Sequence, residues 1–349
     1  MRKNNRDSMS LKITASLIGL GLVLVACGSA GQKTQEVVVT GEEAQQEEQT
    51  QETDMALDEE EQGQMEEGAL GQETEQAAET EETDLEETEP ENEKTEDASL
   101  LADAVEDGEG LQADGYLIQP MKLERQIKSE DQEWVYVTLS VQFPKVSNDA
   151  NPEAAEKINA VIENEAGAMS NLTEYEEWAK EDFHWRETLE QEDGQTFSWQ
   201  PYVAEMSYSV ERADEKVISF LFRNYEYIGG AHGGQALYGM TFDAQTGEKL
   251  TLETLGESEQ AVRDVVEPLL MQQADEMQEQ FEKGERDMGL FEEYADYMPD
   301  VLTQESWYLT QDGMDVVANE YLLAPYATGP VTFHIPYEQS TFIKEAYLP

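Results

Sequence analysis

Residues Lys216 to Tyr227 read KVISFLFRNYEY, and Val217 to Phe222 within them are apolar at every position but Ser219. A strand with one wet face alternates apolar and polar residues; a run apolar at both parities is covered on both faces. This segment therefore predicts a central strand with a layer packed on each side. The strand before it is VAEMSYSV, where Ala204, Met206, Tyr208 and Val210 share one face, and a turn at Ala213-Asp214-Glu215 joins the two. The strand after it begins in ALYGMTFD and reaches a turn at Gln245-Thr246-Gly247, followed by a short second strand in EKLTL.

The same periodicities extend in both directions. Residues 116–128 predict a first strand. WVYVTLSVQF then alternates, with Val135, Val137, Leu139, Val141 and Phe143 on one side. Asn151-Pro152-Glu153 is a helix start, with a cap, a proline in the first turn and an acid near the positive end. Ala154, Ala155, Ile158, Val161 and Ile162 form the apolar stripe of that helix, which extends toward Trp178. Ser258 caps a second helix whose inner face is Val262, Val265, Val266, Leu269 and Leu270, with a kink or break expected at Pro268. SWYLTQDGMDVVAN predicts a hairpin at Asp312-Gly313, and VTFHIPY a last strand with Val331, Phe333 and Ile335 inward and His334 outward. The fold class is α+β: antiparallel sheet or sheets with two main helices.

The N-terminal third differs in kind. Arg2, Lys3, Arg6 and Lys12 precede an apolar run, Ile13 to Ala26, that is short for a membrane span. The run ends Leu24-Val25-Ala26-Cys27, which resembles the bacterial lipobox; Cys27 is the only cysteine. The expectation is a signal peptide over 1–26 and lipidation at Cys27, the alternative being an ordinary secretory signal. A diacylglyceryl group supplies the two chains that stable anchoring needs. It would hold the protein at the extracytoplasmic face of the cell membrane. No disulfide and no cysteine-based zinc site can form in the rest of the chain.

From Gly28 to about Gln112 there is no Phe, Trp or Tyr. Glu, Gln, Thr and Ala dominate, so residues 27–112 are expected to be a lipidated, disordered acidic tether. As a coil of roughly 80 residues it would reach about 50 Å. The chain carries a formal net charge of -57. Residues 31–110 hold 30 acids and 2 bases (-28), and residues 111–349 hold 47 acids and 15 bases (-32). Such a field excludes nucleic acid as a partner and favours cationic ones.

Catalytic signatures are incomplete. YEYIGGAHGGQ, residues 225–235, places His232 among four glycines, and AHGG resembles the oxyanion loop of esterases. That loop requires a G-x-S-x-G elbow, which is absent. There is no HExxH, and His184, His232 and His334 lie far apart, so no metal site is expected. Asp243-Ala-Gln-Thr-Gly-Glu puts glycine at the fifth position of a calcium-loop pattern rather than the sixth; it reads as a turn. No cofactor-binding pattern occurs. A second conspicuous stretch is NEYLLAPYATGP, Asn319 to Pro330, read either as a plain connection or as a loop showing Tyr326 to a ligand. The candidate contacts are Tyr225, Tyr227, Gly229, Gly230, His232 and Tyr326, with no catalytic residue assigned. His232 reads more as a structural hydrogen-bonder than as a catalyst.

The motifs N-Y-x-Y-x-G-G-A-H-G, F-D-x-x-T-G-E-x-L-T-L, Y-x-L-T-x-D-G and A-P-Y-A-x-G-P together resemble the paired domains of unknown function 4163 and 3298. The resemblance implies a 4163-like domain over 113–234 and a 3298-like domain over 235–349. Relatives include the extracellular part of a lysozyme-sensing anti-sigma factor and the non-catalytic part of a peptidoglycan deacetylase. The cytoplasmic and catalytic modules of those relatives are not expected here. The resemblance thus implies a non-enzymatic, lipid-anchored surface module that contacts a cationic lysozyme-like protein or the peptidoglycan glycan. The alternatives are a wall-polymer-modifying enzyme using His232 and a structural surface spacer.

Overall fold

The computed structural model describes residues 97–193 and 196–349. The expected signal peptide, Cys27 and the tether as far as residue 96 lie outside the described residues. The architecture is α+β with mostly antiparallel sheets. Ten strands form two sheets: β1 Val105–Glu106, β2 Leu111–Ala113, β3 Tyr116–Lys128, β4 Val135–Ser147, β5 Tyr202–Ala213, β6 Val217–Tyr227, β7 Gly234–Asp243, β8 Trp307–Leu309, β9 Gly313–Ala318 and β10 Val331–Pro336. The first sheet runs β1-β3-β4-β5-β6-β7 with β2 also on β3, and the second runs β10-β9-β8. Every pairing is antiparallel except β4 with β5.

That parallel pair requires a crossover, and two helices make it: α1 Pro152–Ser170 and α2 Thr173–Asp193. Asn151 caps α1 as its sequence predicts, its side chain accepting from the Ala154 N–H. Ile158, Ile162 and Ala166 bury the stripe against Leu139, Val141, Phe143, Phe220 and Phe222 of the sheet. The helical stretch carries on past Trp178 to Asp193, with a break at Asn171 and Leu172.

Two one-turn helices, α3 Leu252–Leu255 and α5 Tyr294–Tyr297, flank the long α4 Glu259–Glu282. Ser258 caps α4, accepting from Ala261 N at 3.2 Å. The helix bends but stays continuous through Pro268. Val262, Val266 and Leu270 pack on the second sheet, where Val316, Phe333 and Ile335 are buried. Among the described residues no helix is long and apolar enough to cross a membrane.

β6 occupies the place its composition predicts. Ile218, Phe220 and Phe222 face α1, whereas Val217 joins the core under α4 and Leu221 packs with Tyr308 and Val317. The contact between the layers is close enough to demand glycine. An ideal Cβ on Gly239 would lie 1.9 Å from the Trp307 carbonyl oxygen, and Gly239 N–H donates to Glu305 O at 2.7 Å. Leu309 N–H reaches the hydroxyls of Ser219 and Thr241, which explains why a central strand carries a serine.

Two expectations need correction. Regular structure is already present at the first described residue, inside the stretch expected to be tether as far as 112: a 3-10 turn over Asp97–Leu101 precedes β1 and β2, and Leu101 and Ala104 pack on the α1-side core. Aliphatic side chains suffice there, so the absence of aromatics misplaces the boundary. The short strand expected in EKLTL is a single bridge between Phe242 and Lys249, after which Thr251 caps α3. Thr251 and Thr254 exchange side-chain bonds with each other's backbone, a local arrangement that outcompetes further pairing.

Candidate functional site

The end of β6 and the loop after it form one wall of the site. Gly229 and Gly230 have φ of +94° and +87°, a left-handed conformation that excludes ordinary side chains without strain. α2 backs this turn: a Cβ on Gly229 would lie 3.5 Å from the Tyr202 hydroxyl and 3.6 Å from Asp182 Oδ2. Tyr227 is buried, packs edge-on against Tyr202 and donates from its hydroxyl to Gly230 O at 3.2 Å. It supports the loop rather than facing solvent. On the α2 side the Tyr175 hydroxyl donates to Glu226 Oε1. Gly233 lets Tyr225 lie against the loop, since a Cβ there would meet Tyr225 Oη at 2.5 Å and Glu226 O at 2.4 Å.

The loop from Asn319 to Pro330 forms the other wall. Asn319 fastens it to β7: its side chain accepts from Leu237 N at 2.7 Å and donates to Leu237 O at 3.0 Å. Glu320 Oε2 accepts from Gln235 N at 3.1 Å. These bonds bring the two loops together. His232 stacks on Tyr326 with ring centroids 3.9 Å apart and an interplanar angle of 21°, and Tyr321 lies at 27° to Tyr326 with centroids 5.9 Å apart. Nearly parallel rings make a layered platform, not the crossed walls of a cation cage.

The platform has an edge suited to hydrogen bonding. His232 Nδ1 sits 2.9 Å from Gly233 O; a carbonyl only accepts, so Nδ1 carries the proton. Nε2 is then the acceptor of the neutral ring, 3.5 Å from the Tyr321 hydroxyl. Desolvation, then Glu320 and the hydroxyls of Tyr225 and Tyr321, raise the Tyr326 phenol above its ordinary pKa, so it remains a donor.

Tyr321 is 55% exposed and has φ of +65°. A bulky residue in left-handed backbone is strained, and such strain gathers at functional surfaces. Sequence reasoning picked Tyr326 from this loop and missed Tyr321 and Glu320; nothing in a tyrosine's sequence context signals a positive φ. Of the six candidates, His232, Tyr326 and Tyr225 come together at one surface, Gly229 and Gly230 shape the turn, and Tyr227 lies beneath. Among the described residues no group of three or more His, Cys, Asp or Glu could hold a metal ion.

Residues 129–235 match the family model described as Deacetylase PdaC, and residues 256–338 match the family of unknown function DUF3298. The chain thus carries a PdaC-like stretch followed by a stretch similar to DUF3298. The resemblance read from the sequence names domain 4163 for the first part; the match there is to PdaC. No curated protein matches the chain. Among solved structures, a DUF3298 family member from Bacteroides fragilis is 16% identical, with 68% of this chain and 96% of that one covered and a TM-score of 0.46. A DUF3298 family protein from Pseudomonas aeruginosa is 14% identical, with 66% and 97% covered and a TM-score of 0.42. His232 falls in the PdaC-like part, whereas Glu320, Tyr321 and Tyr326 fall in the DUF3298 part. The platform exists only where the two meet.

Proposed function

We propose that the protein is a membrane-anchored, extracytoplasmic binding module that holds a cell-wall glycan on the His232–Tyr326 platform. One observation carries this reading: each domain supplies one ring of a 3.9 Å stack, at a junction of the kind where ligand sites concentrate. Parallel aromatic faces accept the C–H faces of sugar rings. Glu320, Tyr321 and the Tyr326 hydroxyl at the edge can bond sugar hydroxyls. The lipidation expected at Cys27 and the acidic tether would present this surface to the wall.

The contacts of His232 favour binding over chemistry. They are a backbone carbonyl, the Tyr321 hydroxyl at Nε2 and an aromatic ring, and among the described residues no serine, threonine or cysteine bonds Nε2. Retention of the full chain on purified peptidoglycan tests the proposal. His232→Ala and Tyr326→Ala are each expected to lower retention about tenfold, the order of a lost aromatic stacking contact; retention equal to wild type in both would refute it. A second reading, capture of a cationic lysozyme-like protein, draws on the excess of 32 negative charges over residues 111–349. That binding would weaken steeply as salt rises, whereas stacking on the platform would not. Release of soluble wall fragments at wild-type rate but not by His232→Ala would favour an enzyme instead.

A further inference from the structure

α1 and α2 cover one face of the seven-stranded sheet, and the second sheet covers part of the other, over β6 and β7. The rest of that second face is open and polar. Strand register aligns its side chains in a row. Glu124 lies opposite Ser140, Ser140 opposite Glu205, Glu205 opposite Tyr225, and Tyr225 opposite Gln235. Gln235 N–H in turn bonds Glu320 at the edge of the platform. Neighbouring strands are about 4.8 Å apart, so the row from Glu124 to Gln235 crosses about 19 Å. At its far end is an open depression of about 610 Å³, lined by Glu124, Gln126, Lys128, Thr138, Ser140 and Glu205 among others. Ligand sites commonly enclose about 300–1,000 Å³.

We propose, building on the glycan-binding reading above, that this row is the track of the uncharged sugar backbone of a linear polysaccharide lying across the strands, with one sugar ring stacked at His232 and Tyr326. Its chemistry matches an uncharged polyol. The depression offers amides and hydroxyls, Glu124 is already paired with Lys122 at 2.7 Å, and Glu320 is engaged by Gln235 N–H. A cationic segment entering the depression would meet Arg125 and Lys128 beside Glu124 and Glu205. A polyanion would meet the net negative charge of this part of the chain. The row runs about 19 Å from Gln235 to Glu124, so a ligand that touches the platform and also fills the depression as far as Glu124 must be longer than one or two sugars, and the track selects chain length.

Calorimetry of the full chain with β-1,4-linked N-acetylglucosamine dimer, tetramer and hexamer tests this. The hexamer is expected to bind at least about tenfold tighter than the dimer, or 1.4 kcal/mol. The Glu205→Ala/Gln126→Ala double variant should lose that gain and keep the dimer affinity. Tyr326→Ala should weaken every length. Both exposed substitutions leave the core untouched, and an unchanged melting temperature checks it. Equal affinity at all three lengths, still dependent on Tyr326, overturns the track and leaves the platform standing. Binding of none of them removes both. Salt-sensitive, Glu205-dependent binding of lysozyme without hexamer binding would give the face to a cationic protein and overturn the proposal.

Discussion

Gly239→Ala probes the joint that makes the composite site. The added methyl would lie 1.9 Å from Trp307 O, 2.6 Å from Trp307 C and 2.8 Å from Tyr308 Cβ. Ordinary carbon–oxygen contacts are about 3.3 Å or more, so β7 and β8 must separate by more than about 1 Å. Both sides are backbone, and no rotamer change relieves the contact. Overpacking of this kind costs about 1–3 kcal/mol. The shift also strains the Gly239–Glu305 bond and the bonds from Leu309 N–H to Ser219 and Thr241, each worth about 1 kcal/mol. With those bonds weakened rather than lost, the total is about 3 kcal/mol, or a fall in melting temperature of about 6–12 °C for a fold of this size. Urea unfolding followed by tryptophan fluorescence and by far-ultraviolet circular dichroism measures it. Gly234→Ala is the control, because its Cβ would meet nothing within 4 Å and its φ is not positive. A Gly239→Ala loss below about 1 kcal/mol, or one no larger than the control's, would refute a close backbone joint. The joint also predicts that the two sheets unfold together, so separate transitions in the wild type would count against it.

Three further outcomes follow from individual side chains. Tyr321→Gly should be more stable than Tyr321→Ala by about 1 kcal/mol, since only glycine tolerates φ of +65° without strain; both should lose binding alike, and equal stabilities in thermal melts would deny the strain. Burial raises the Glu165 carboxyl, Glu305 adds to the effect and Lys249 opposes it. A raised folded pKa means that the stabilisation it provides is complete below the unfolded value of 4.5 and is lost as pH rises through the folded value. Glu165→Gln should therefore stabilise the protein at pH 7, with the gain vanishing near pH 4; a pH-independent gain would refute burial as its source. Arg212 is buried and ties the first sheet to the C-terminal tail, donating to Asp214, the Tyr337 hydroxyl and Tyr347 O. Arg212→Ala should cost about 3–5 kcal/mol in chemical denaturation, and a loss under about 1 kcal/mol would show that the tail docks without it.

Local repetition made much of the fold legible. Alternation in 134–143 and 204–210, the apolar run in 217–222 and the caps at Asn151 and Ser258 all record the periods of single elements. The turn glycines were legible for the same reason, because a positive φ is a local demand. Legibility failed where a distant partner decides. Leu101 and Ala104 carry no strand or helix pattern and join the fold only because α1 offers a surface. Tyr227 looks like a loop contact until Tyr202 packs edge-on against it and buries it. EKLTL has strand composition, and threonine capping turns it into α3.

The sequence by itself determined the α+β class, the central place of β6 and the two loops rich in glycine or proline, because each is written in neighbouring residues. Only the tertiary structure decided that His232 meets Tyr326, that Glu205 stands in line with Tyr225, and that the open half of a sheet leads to their platform. Those relations depend on strand register and on the approach of two sheets. Both are set by long-range packing, and no local pattern of residues encodes which distant ring a given ring will face.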